Sequence, residues 1–143
     1  MRRARRAESS AAPALHVPPG VTLARQQLGR IGEELAVAEL ERLGYAILER
    51  RYRTRCGEID IVADDAGTLV FVEVKARATA EFGTAAEAVT RQKQLKLVAM
   101  ATDYLARAQV RDRPCRFDVV AIDECESTPR IVVYRNAFDG RAR

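Results

Sequence analysis

Gly57-Glu58-Ile59-Asp60-Ile61-Val62, then, after a short turn, Phe71-Val72-Glu73-Val74-Lys75, sets two acids and a lysine inside otherwise apolar, strand-like sequence. Strand interiors seldom carry buried charge without a use for it. Alternation places Glu73 and Lys75 on one face of their strand with Phe71, and Val70, Val72 and Val74 on the other. Asp60 lies on the preceding strand, with Ile59 and Ile61 directed away from it. A two-residue loop at Ala66-Gly67 sets Asp60 directly opposite Glu73, and a four-residue loop leaves them diagonal neighbours. Either loop makes the carboxylates converge. Two facing, partly buried carboxylates need a shared proton or a cation, and a divalent metal ion meets that need.

Working outward, Leu28, Ile31, Leu35, Ala36, Leu40 and Leu43 recur at helical spacing from about Arg25, and Gly44 ends the run as a C-cap. The apolar face centres near Gly32, which places Glu33 on its shoulder and Glu34 nearly opposite, in solvent. Tyr45 to Arg53, Glu58 to Ala63 and Thr68 to Arg77 read as strands. A helical region follows from Ala85 to Ala108, broken near Thr90, with Leu95, Val98, Ala99, Ala101, Thr102 and Leu105 facing the sheet. Arg116 to Ile122 and Arg130 to Tyr134 are the last strands. The order αβββαββ predicts an α/β fold, a mixed central sheet flanked by helices, because a helix between the third and fourth strands permits parallel pairing.

Residues 1–24 combine Arg repeats, serines and three prolines with few apolar groups, and read as a disordered basic tail ahead of one domain over 25–143. Four arginines against Glu8 in that tail supply +3 of the formal +4 net charge. The domain is therefore nearly neutral, and its basic charge is clustered: Arg50, Arg51, Arg53 and Arg55 immediately precede Gly57-Glu58-Ile59-Asp60. No apolar run approaches the roughly 18 residues of a membrane span. Cys56, Cys115 and Cys125 form no C-x-x-C pair and follow no secretory signal, which fits a reducing, cytoplasmic setting. The one histidine, His16, lies in the tail, so His-dependent triads and zinc-hydrolase motifs are excluded from the domain. Its chemistry must run on carboxylates, lysine and arginine.

Phosphodiester hydrolysis needs a neutralised phosphate, an acidified water and a stabilised leaving group, and carboxylate-held Mg2+ or Mn2+ serves all three. Asp60 and Glu73 are the expected ligands, with the Val74 carbonyl as a further oxygen. Lys75 is the expected catalytic cation; against 21 arginines the chain has only Lys75, Lys93 and Lys96, so lysine is the exception here. Glu33 can complete the site from the first helix. Arg50, Arg51, Arg53, Arg55, Arg91, Lys93 and Arg116 are the candidate phosphate contacts. A surface salt bridge between Glu73 and Lys75, and an edge strand charged against aggregation, are the plainer readings of the same residues.

Gly32-Glu33, Gly57-Glu58-Ile59-Asp60, Phe71-Val72-Glu73-Val74-Lys75-Ala76-Arg77, Val89 with Lys93, Arg116-Phe117-Asp118 and Asn136-Ala137-Phe138 together resemble the YraN-like family of uncharacterised bacterial proteins, over about residues 25–138. That family is placed in the PD-(D/E)xK, or restriction-endonuclease-like, nuclease superfamily. The resemblance implies a restriction-endonuclease-like fold with Asp60, Glu73 and Lys75 as catalytic core and Glu33 as accessory acid, as in Holliday-junction resolvase relatives. Ile59 stands in place of the proline that names the superfamily, and Arg51 where the family usually has Asn. The expected function is a magnesium-dependent endonuclease on nucleic acid, DNA and branched DNA foremost, with a homodimer suited to symmetric cutting. The alternative is a non-catalytic nucleic-acid-binding or partner-docking module on the same fold.

Overall fold

The computed structural model describes residues 23–77, 89–123 and 127–140. Its elements are α1 (Leu23–Arg42), β1 (Ala46–Thr54), β2 (Gly57–Asp65), β3 (Thr68–Arg77), α2 (Arg91–Arg107), β4 (Cys115–Asp123) and β5 (Arg130–Tyr134). The strands form one sheet in the order β1-β2-β3-β4-β5. All neighbours are antiparallel except β3 and β4, which run parallel because α2 carries the chain back across the sheet. This is the expected αβββαββ order, a mixed α/β architecture consistent with a restriction-endonuclease-like fold.

Each face of the sheet buries one helix. Ala36 and Leu40 of α1 pack with Ile61, Ala63, Val70, Val72, Val120 and Ile122, while Leu97, Met100 and Ala101 of α2 pack with Val62, Leu69, Phe71, Phe117 and Val119. The chain leaves α1 through a Schellman turn: Gly44 takes φ 99°, Gly44 N–H donates to the Glu41 carbonyl and Tyr45 N–H to that of Leu40. Between β2 and β3, Ala66 and Gly67 take φ 51° and 98°, the signature of a two-residue type I′ hairpin loop. The ladder then runs from Asp65↔Thr68 to Ile61↔Val72. Asp60 and Glu73 are the next residues beyond the last pair of that ladder.

Three expectations change. The buried face of α2 is Leu97, Met100 and Ala101, with Tyr104 packed edge-on to Phe71 and Tyr52, whereas Leu95 is 43% exposed and Ala99 and Thr102 face solvent. Ala101, Val98 and Leu105 of the expected face do pack on the core, but its centre shifts toward Leu97 and Met100, because apolar residues ring this helix and the sheet decides among them. Secondly, Ile59 joins the α2-side core and Ile61 the α1-side core, so the two do not share a face and β2 departs from strict alternation around Asp60. The partner strand is irregular there too: β1 has a bulge between Ile47 and Glu49 and a left-handed residue, Arg51, at φ 54°. Thirdly, α1 begins at Leu23, inside the expected tail, and α2 at Arg91, capped by Thr90. The rest of the tail and the helical expectation before Thr90 lie outside the described residues, as do His16 and Cys125; Cys56 and Cys115 are exposed free thiols. Among the described residues no helix is long and apolar enough to cross a membrane.

Candidate active site

The tight β2–β3 hairpin delivers Asp60 and Glu73 to one place, where the backbone ladder gives way to a side chain. Val74 N–H donates to Asp60 Oδ2 at 2.8 Å, which fixes the Asp60 carboxyl over β3. Val74, whose carbonyl the sequence offers as a metal ligand, thus holds the acid through its N–H. Glu73 points to the α2 side with Phe71, its side chain only 7% exposed. Its Oε2 lies 4.0 Å from Lys75 Nζ and 3.8 Å from Lys93 Nζ, and its buried Oε1 has no hydrogen-bond partner among the described residues. The Glu73 charge acts on the Asp60 carboxyl, which makes the two acids an electrostatic pair.

Burial dominates the electrostatics of this pair. It pushes Asp60 up to about 7, helped by the Glu73 and Glu33 charges and opposed by the Val74 N–H and by Lys93. Glu73 is also raised by burial, against the pull of Lys93 and Lys75. A cation held between the two acids would reverse both shifts. A second carboxylate beside an orphaned buried carboxylate oxygen is an oxygen donor set that suits Mg2+ or Mn2+. Mg2+ takes one or two carboxylates, keeps waters and accepts substrate phosphate. Among the described residues no group of three or more His, Cys, Asp or Glu side chains is gathered as a metal cluster.

The third acid approaches from α1. Glu33 is half-buried, and its Oε1 accepts Arg51 Nε at 2.8 Å. Arg51 also feels the charges of Glu58 and Asp60, and Glu33 acts on Asp60, so this pair borders Asp60. Glu34 is solvent-facing as expected and pairs with Arg50 at 2.8 Å. Arg53 pairs with Glu58 at 3.0 Å, and Arg55 is exposed at the β1–β2 turn. β1 is an edge strand, so three of its clustered arginines are matched by local acids and also guard that edge against pairing. Arg91 is exposed on the first turn of α2, and Lys93 faces Glu73 from the same turn.

Arg116 is not brought to this site. It pairs with Val70 in register, as Asp118 does with Val72, on the α1 side of the sheet. Its guanidinium donates to Asp118 Oδ1 at 2.9 Å, to Asp65 Oδ2 at 2.8 Å and to the Tyr45 hydroxyl at 2.9 Å. Asp118, 1% exposed, also accepts from Tyr45 Oη at 2.7 Å and Asn136 N–H at 2.9 Å, and Arg135 closes on Asp65. The network ties the end of α1 to β2, β4 and the segment after β5. Sequence reasoning named Arg116 for phosphate and missed this lock; the alternating Arg116 and Asp118 of an otherwise apolar strand were its only local signal. The Glu33–Arg51 and Glu73–Lys93 pairs were missed as well, since charge alone does not name a partner.

Glu33, Asp60, Glu73, Lys75 and Lys93 all fall within residues 32–122, the span matched by the family model described as uncharacterised protein family UPF0102. A UPF0102 protein of Desulforapulum autotrophicum is 50% identical over 114 residues, covering 80% of this chain and 94% of the relative. One of Ralstonia pickettii is 49% identical over 129 residues, with 87% and 97% covered, and one of Moorella thermoacetica 44% over 120 residues, with 82% and 100% covered. With matches of that identity over nearly the full length of each relative, this chain belongs to the uncharacterised protein family UPF0102, the YraN-like family its motifs resemble.

Proposed function

We propose that this protein is a metal-dependent endonuclease acting on phosphodiester bonds of nucleic acid, in the cytoplasm, with DNA, including branched DNA, as its substrate. The observation that carries the reading is Glu73: a carboxylate buried beside Asp60 with one oxygen orphaned and the other between two ammonium groups. Burying acids this way is costly unless a cation or substrate uses them. Asp60 and Glu73 would hold Mg2+ or Mn2+, which when bound supplies Lewis acidity and makes water a better nucleophile at neutral pH.

The chain's own groups do the rest. The Val74 N–H keeps Asp60 in one orientation, so its carboxyl needs no rearrangement before the reaction. Lys75 presents a compact charge beside Glu73, placed to steady the negative charge that grows on the phosphate oxygens. Glu33 stands at the border as accessory acid once Arg51 releases it. A homodimer would give two such sites for cutting paired strands.

The Arg51–Glu33 pair favours the second reading, a nucleic-acid-binding or partner-docking module with the same fold, because it occupies the accessory acid. The test is cleavage of branched, duplex and single-stranded DNA and of RNA in Mg2+ and Mn2+ by wild type and Glu73→Ala. Cleavage abolished in Glu73→Ala supports the nuclease. Equal cleavage by both proteins sinks it, and salt-sensitive binding without metal or cleavage selects the docking module.

A further inference from the structure

Glu73 Oε2 stands between two ammonium groups from different elements, Lys75 of β3 at 4.0 Å and Lys93 of α2 at 3.8 Å. The carboxylate is more than nine-tenths buried, whereas the lysine side chains keep 36% and 37% of their surface open. Both separations exceed hydrogen-bond length, so each ammonium is attracted to Glu73 while its donors remain available to another anion. The placement of Lys93 is built in. Thr90 Oγ1 accepts the Lys93 N–H at 3.2 Å, and Gln94 Nε2 donates to the carbonyl of the buried Val89 at 3.0 Å, which fixes the first turn of α2. That turn contains no acid of its own.

Resting on the nuclease reading of this site, we propose that Lys93 is a substrate-anchoring residue that holds a non-bridging oxygen of the nucleic-acid phosphate entering beside Asp60 and Glu73. The charges lead there. In the structure both ammoniums face the Glu73 carboxylate, with Asp60 beside it. With both carboxylates committed to a divalent cation, Lys75 and Lys93 lose their counter-charge, and the incoming phosphodiester and the oxyanion that develops on hydrolysis restore it. Glu73 is thus the resting stand-in for the phosphate. A flexible, compact ammonium can move from one oxygen to the other, and the exposed side of Lys93 leads outward from Glu73.

The test pairs two titrations that do not depend on turnover. Fluorescence anisotropy measures binding of labelled branched and duplex DNA with Ca2+ replacing Mg2+, and calorimetry measures Mn2+ binding to the DNA-free protein. Lys93→Met is expected to weaken DNA binding by about tenfold or more, lower its salt slope by about one, and leave Mn2+ affinity equal or tighter. Lys93→Arg should recover most of the DNA affinity. Lys93→Gln, which keeps a polar stem, carries the same expectation if the methionine variant does not fold. Unchanged DNA affinity overturns the anchoring role, and so does joint loss of DNA and Mn2+ binding, which marks Lys93 as a structural partner of Glu73. Wild-type protein that binds neither Mn2+ nor DNA removes the nuclease reading itself, and this inference with it.

Discussion

Asp60 Oδ2 accepts the Val74 N–H at 2.8 Å, so that a side chain of β2 replaces a backbone carbonyl at the point where the β2–β3 ladder ends. The bond holds a carboxyl in a buried place it would otherwise leave. Burial, and then the Glu73 charge, raise the proton affinity of Asp60 to about 7, against the pull of this bond.

That shift fixes a stability prediction with a definite sign. The folded value, about 7, lies above the ordinary 3.8, so between these pH values the folded protein binds more protons than the unfolded chain and loses stability as pH rises. Asp60→Asn keeps the acceptor for Val74 and removes the ionisation. In chelator at pH 8 the variant should be more stable than wild type by roughly 2–4 kcal/mol, and at pH 4 the advantage should nearly vanish. Urea denaturation at the two pH values reads this directly; equal stability at pH 8 would show that the pair carries no such burden.

Metal binding should follow the same proton. If Asp60 and Glu73 hold Mn2+, binding must displace the proton kept there, so apparent affinity should rise by roughly tenfold per pH unit below the Asp60 value and level off above it. Calorimetry at pH 6 and pH 8, in buffers of different ionisation enthalpy, should detect proton release only at the lower pH. A flat affinity would place the ion elsewhere.

Arg116 separates a structural role from a phosphate contact. Its guanidinium satisfies Asp118, Asp65 and Tyr45 together, so Arg116→Met leaves a buried carboxylate without its counter-charge. The expected loss is about 3–5 kcal/mol. Tyr45→Phe, which removes one donor to Asp118, should cost about 1–3 kcal/mol. Nucleic-acid affinity per folded molecule should be unchanged in both, as checked by anisotropy below the unfolding transition.

What could be read from the sequence follows from the range over which each signal acts. Ala66-Gly67 and the alternation of β3 are local, and they were enough to make Asp60 and Glu73 converge, while the choice between a two- and a four-residue loop came only with the structure. Gly44 was likewise enough to end α1. The face of α2 was readable only in part: Val98, Ala101 and Leu105 pack on the core as expected, but Leu95, Leu97 and Met100 also surround the helix and the sheet decides among them. The break at Asp60, which separates Ile59 from Ile61, depends on how two strands twist together. Ion pairs such as Arg51–Glu33 join an edge strand to a helix, and no spacing rule in the sequence selects that pairing. The α2 assignment is itself testable: Met100→Ala should cost about 2–5 kcal/mol, and Leu95→Ala within about 0.5 kcal/mol.

Arg51 brings backbone and charge together at the border of the site. It adopts φ 54°, a left-handed conformation that asparagine tolerates better than arginine, and its guanidinium neutralises Glu33. The pair is partly exposed, so breaking it should cost less than about 1 kcal/mol, and the relaxed backbone offsets part of that loss. Arg51→Asn should therefore melt within a few degrees of wild type. Its effect should fall on the metal: freeing Glu33 and removing a cation near Asp60 should tighten Mn2+ binding severalfold in calorimetry. Adding Glu33→Gln to that variant should return the affinity toward wild type, because the gain passes through the freed carboxylate. If Arg51→Asn leaves Mn2+ affinity unchanged, Glu33 is no part of the centre, and its pairing with Arg51 only fastens α1 to the sheet edge.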